Sequence, residues 1–85
     1  MDETKLRRDL ERAHQAKTTL EQVDFRIEAM ASNLHAKWEA TKSEDIEGRE
    51  ACWRQLKAVR ELQRSFKQDI DAGRLAEVEL EKMNG

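Results

Sequence analysis

Apolar residues recur along this chain at spacings of three, four and seven, the signature of helices with one buried face. From about Glu3 to Thr41 the set Leu6, Leu10, Ala13, Leu20, Ile27, Leu34 and Trp38 keeps to one broad face, with Val23, Met30 and Ala31 beside it. This predicts a first helix over about 3–41, about 58 Å long at 1.5 Å per residue. Cys52, Leu56, Val59, Phe66 and Ile70 then step by 4, 3, 7 and 4, and Leu62 and Gln63 straddle the position skipped. A second helix over about 46–72 follows from that seam. Ala76, Leu80 and Met83 step by 4 and 3 and predict a short third helix over about 74–83.

The expected connection is a turn over about 42–48, Lys42 to Gly48, in which Ser43 and Asp45 are both candidate N-caps. Glu44, Asp45 and Glu47 place negative charge where a helix N-terminus favours it. A short link between long helices makes an antiparallel pair. Gly73 reads as the residue that ends the second helix. The expected fold is therefore all-α: a long, coiled-coil-like antiparallel helical hairpin with a short third C-terminal helix, forming one domain over 1–85. Ile27, Leu34, Trp38, Trp53, Leu56, Val59, Phe66 and Ile70 are its expected helix–helix core, with Leu80 and Met83 meeting Leu6 and Leu10. Spacing of this kind, without proline and with few β-branched residues, gives a strand reading no support.

Composition narrows the functions. Eighty-five residues hold one small domain, which leaves no room for a two-domain enzyme or a doubly wound sheet. No apolar run approaches the ~20 residues of a membrane span, and the first residues lack the apolar core of a signal peptide. The expectation is a soluble cytoplasmic product with no membrane partner. Lys plus Arg total 16 and Asp plus Glu 18, so the chain as a whole has no pull toward nucleic acid. Low hydrophobicity alone would suggest disorder, but near-zero net charge and strict periodicity argue for helices stabilised by packing.

Little in the sequence carries catalysis. His14 and His35 lie 21 residues apart on one helix, about 31 Å at helical rise, and cannot share a metal within one chain. Glu11 and His14 form an i, i+3 pair of the kind seen in di-iron bundles, but the seams supply no further inward carboxylates. Cys52 is the single cysteine and reads as a small packed side chain. No phosphate-cradling or nucleophile-elbow motif is present. The expectation is a non-enzyme with no metal and no cofactor.

Two surface features stand out. Phe25, Ala29, Ser32 and Ala36 fall roughly opposite the Ile27–Leu34 seam. They form a candidate oligomer or partner face, weighed against an ordinary exposed face with a stray Phe. On the second helix Arg49, Trp53, Lys57, Arg60, Arg64 and Lys67 fall within about 80° of arc. The basic members Arg49, Lys57, Arg60, Arg64 and Lys67 are a candidate stripe for phosphates or an acidic protein surface. The competing reading is a solvated row whose stems flank the apolar seam. Two helices leave each seam half covered, so self-association or another protein is the expected partner.

Ala36-Lys37-Trp38-Glu39-Ala40-Thr41, the run Asp45 to Trp53, Leu56-Lys57-Ala58-Val59 and Gly73-Arg74-Leu75-Ala76 together resemble short helical proteins encoded among the virion-structure genes of tailed bacteriophages. The shared form is a tryptophan before a short acidic turn, a Gly-Arg-Glu helix start with an aromatic soon after, and a Gly-basic-Leu-Ala near the end. The likeness covers about residues 36–77, and the N-terminal third departs from it. It implies a structural or assembly protein, located in the virion or the host cytoplasm, that oligomerises and binds other virion proteins. It transfers no catalytic residue. A small inhibitor of a host protein is the alternative, and a nucleic-acid-binding packaging component the second alternative.

Overall fold

A computed structural model describes residues 2–85, which form two long α-helices packed against each other, with no strand among them. Helix α1 spans Glu3–Ala40 and α2 spans Ile46–Asn84. Asp2 caps α1 by accepting from the Thr4 amide at 3.0 Å. Thr41 closes it, both its backbone N–H and its hydroxyl donating to the Trp38 carbonyl. Of the two candidate caps for α2, Asp45 is the one used: its Oδ1 accepts from the Gly48 amide at 3.0 Å. Gly48 leaves space for that carboxylate, since a Cβ there would overlap it. Asp45→Ala should lower stability by about 1 kcal/mol, read as a shifted denaturant midpoint. An unchanged midpoint would mean that the cap is replaced by water at no cost.

The expected third helix is not separate, because α2 continues through Gly73 to Asn84. Gly73 has no positive φ and does not act as a helix-ending glycine. Its role is proximity: a Cβ at Gly73 would overlap the Ala13 Cβ and lie 3.5 Å from the Asp9 carbonyl oxygen. Glycine costs a helix only about 1 kcal/mol relative to alanine, and here close approach of the backbones accompanies it.

Packing divides the chain into two units. In the first, the part of α1 up to Gln22 packs on Arg64–Gly85. Leu6, Ala76 and Leu80 form its buried cluster, with Leu10 against it, and Ala16 and Gly73 are buried too. Met83, expected at this contact, is exposed. Phe66 and Ile70 are half-buried rather than central. Phe66 borders an open groove shared with Ala16 and Thr19.

The second unit is Val23–Gln63. Ile27, Ala31 and Leu34 are its buried apolar residues, and Cys52, Leu56 and Val59 from α2 are half-buried. Gln63, only 7% exposed, takes the seam position between Val59 and Phe66, while Leu62 is exposed. Its amide is fully used. Nε2 donates to Asp24 Oδ1 at 3.0 Å and Glu28 Oε1 at 2.9 Å, and Oε1 accepts from Arg60 Nη1 at 3.0 Å. Arg60 also meets Glu28 Oε1 at 2.8 Å. A buried amide between two carboxylates and a guanidinium is satisfied in one alignment of the helices, and a slip in register would leave it unpaired.

Trp38 and Trp53, expected in the core, are 39% and 57% exposed. On a helical wheel Trp53 points about 90° away from the mean direction of Cys52, Leu56, Val59 and Gln63. Trp38 lies on the seam by angle, but it belongs to the last turn of α1, where few side chains remain to cover an indole.

Candidate protein–protein interface

The two tryptophans mark the most distinctive surface of the Val23–Gln63 unit. Trp38 and Leu34 from α1 and Cys52, Trp53 and Leu56 from α2 line an open, largely apolar groove of about 270 Å³, with His35 at its edge. Arg49 lies over the Trp38 ring with its guanidinium carbon 4.1 Å from the centroid, and Lys57 Nζ sits 5.3 Å from that of Trp53. Both distances suit cation–π attraction. No carboxylate lines the groove. Exposed tryptophan with arginine is the composition enriched at the energetic centres of protein interfaces.

The candidate basic stripe is therefore not one uniform row. Arg49 and Lys57 cover indoles, and Arg60 is tied to Glu28 and Gln63. Arg64 and Lys67 are exposed and belong to the other unit. The sequence places Trp53 among these cations by angle, which is the signal for its exposure.

The second candidate face is open as expected from its angle. Phe25 is 68% exposed, and Ala29, Ser32 and Ala36 are exposed along the same side of α1. Arg26 approaches the Phe25 ring at 5.6 Å from the centroid. A third exposed apolar strip, Leu75 and Val78, lies on α2 in the first unit and is not singled out by the seam pattern.

His14 borders a groove with Leu10, Ala13, Ile70 and Gly73, and His35 borders the tryptophan groove. Among the described residues no three His, Cys, Asp or Glu side chains gather in a metal-ligating group. Nor, among the described residues, is any helix long and apolar enough to cross a membrane. No protein-family model, curated protein or solved structure matches the chain.

Proposed function

We propose that this protein is a non-enzymatic assembly subunit that joins copies of itself and other proteins through helix faces. The observation that carries this reading is the distribution of large apolar side chains. Nine are exposed among the described residues, against four buried: Leu6, Ile27, Leu34 and Leu80. Scattered exposed apolar residues are ordinary. An excess over the buried set, including both tryptophans, fits surfaces completed by association.

An antiparallel pairing of α1 and α2 underlies the reading. It is supported in the second unit by Arg60 reaching Glu28 while Gln63 reaches back to Asp24. In the first, Leu6 clusters with Leu80 while Ala13 faces Gly73. The likeness of residues 36–77 to short virion-gene proteins of tailed phages suits the same role, as a structural or assembly component of a particle. The commitment of Arg60 to its own chain weakens the nucleic-acid alternative.

Sedimentation tests the proposal. At tens of micromolar the protein should run well above its 10.0 kDa monomer mass, and Tm should rise with concentration because association contributes to folding stability. Phe25→Glu should weaken assembly at least tenfold by placing a charge in an apolar contact, with helicity unchanged. A monomer with a concentration-independent Tm would overturn the reading.

A further inference from the structure

We infer that Gln63 selects the partner of α2: it admits an α1 seam in one antiparallel alignment and excludes a second α2, so copies of the chain join through outer faces rather than by pairing their second helices. The inference rests on the antiparallel pairing proposed above and adds what keeps self-association from replacing it.

Apolar burial alone makes no such choice. Cys52, Leu56, Val59, Phe66 and Ile70 present the three-four spacing by which helices from one chain or two pair. The hydrophobic effect is non-directional. The α1 seam, a shifted α1 seam and the α2 seam of another copy all bury those side chains. Selection falls to the one seam residue with directional needs. Gln63 is 7% exposed, and its Nε2 carries two protons whose burial without acceptors is costly.

Helix α1 supplies both acceptors as carboxylates one turn apart, Asp24 Oδ1 at 3.0 Å and Glu28 Oε1 at 2.9 Å. Arg60 completes the set, its Nη1 reaching Gln63 Oε1 at 3.0 Å and Glu28 Oε1 at 2.8 Å. Among the described residues no buried side-chain nitrogen or oxygen lacks a partner. Shifting α1 by seven residues keeps its apolar spacing but offers Lys17 with Glu21, or Ala31 with His35, in place of Asp24 with Glu28. Neither substitute brings two carboxylates.

A second α2 serves worse. Its seam from Cys52 to Ile70 holds no carboxylate, and the seam residues on either side of Gln63 are Val59 and Phe66. Two Gln63 amides set against each other exchange neutral hydrogen bonds in one registration only. Charge-assisted bonds are roughly twice as strong. The same pairing parts Arg60 from Glu28 and sets it beside a flank that holds Arg60, Arg64 and Lys67 of its own. The basic character of that flank thus favours α1, with its carboxylates, over another α2.

Nitroxide labels test the selection in a Cys52→Ala background. Asn33→Cys and Arg54→Cys mark exposed positions on α1 and α2 within one unit, and excess unlabelled protein confines the measured distance to one molecule. With Gln63 present, one short, narrow distance is expected. Gln63→Leu should melt close to wild type yet raise the population at other distances at least about fivefold, the bias set by a buried amide left unpaired. Undiluted chains labelled only at exposed Glu61→Cys should then gain a short distance between copies. Asp24→Ala with Glu28→Ala strands the amide and should lower the folding equilibrium constant at least about fivefold. Adding Gln63→Leu to that pair should recover most of the loss. A single unchanged distance in Gln63→Leu would overturn the inference. So would failure of that variant to fold, since the amide would then support stability and not selection. No recovery in the triple variant would also overturn it. A monomeric wild type defeats the assembly reading alone, because alignment is read within one molecule. A long distance in wild type defeats the antiparallel pairing and this inference with it.

Discussion

Replacing Gly73 with leucine is expected to lower stability by at least about 3 kcal/mol. The first carbon of any side chain at this position overlaps the Ala13 Cβ, with the Asp9 carbonyl 3.5 Å away. Neither neighbour is the free end of a long side chain, so relief requires the helices to move apart. Overpacking costs roughly 1–3 kcal/mol and occasionally more, and separation would also loosen the adjacent Leu6–Ala76–Leu80 cluster. Gly73→Ala sets the scale. Its gain in helix propensity, up to about 1 kcal/mol, opposes its clash, so a smaller net loss is expected. Urea unfolding should rank glycine above alanine and alanine far above leucine. A glycine that merely interrupted a helix would give a different order, with alanine the most stable. Leucine at wild-type stability would mean that the backbones do not approach at Ala13.

Leu6→Ala should cost about 2–3 kcal/mol. Leu6 is 2% exposed, the largest fully buried side chain described. Leucine truncation in a core costs ~2–5 kcal/mol, and a position in the second turn of α1 belongs at the low end because helix termini can partly collapse onto a void. At the usual 0.05–0.15 kcal/mol per residue, a chain of this length holds only about 4–13 kcal/mol in total. The loss is therefore a large fraction of the whole. With a urea slope of about 1–2 kcal/mol/M for a protein this small, the midpoint should fall by about 1–3 M. Met83→Ala, at an exposed position in the same unit, should change stability by less than about 0.5 kcal/mol. Equal effects from the two substitutions would place Leu6 outside the core.

The all-helical class was legible in the sequence because the 3–4 spacing of Leu6, Leu10, Ile27 and Leu34, and of Cys52, Leu56 and Val59, is a local property. So was the link near Asp45, where a short polar side chain and clustered acids meet the needs of a helix start. The open face at Phe25 also follows from angle alone, since a residue opposite a seam has nothing to cover it.

Depth of burial was decided elsewhere. Trp38 and Trp53 rank as core by hydrophobicity, but burial depends on what lies opposite, and an indole in a terminal turn or 90° off the seam meets a cation on one face and stays open to water, 39% and 57% exposed. Gly73 carries the same ambiguity: a glycine in a helical pattern signals either a break or a close approach. Only the position of Ala13, sixty residues earlier, selects the second. Gln63 appears in sequence as an interruption between Val59 and Phe66, and its burial becomes intelligible only when Asp24 and Glu28 arrive on the other helix to take its two amide protons. Periodicity thus determined which residues share a face. Tertiary packing determined which of them lose contact with water, because that depends on partners distant in sequence.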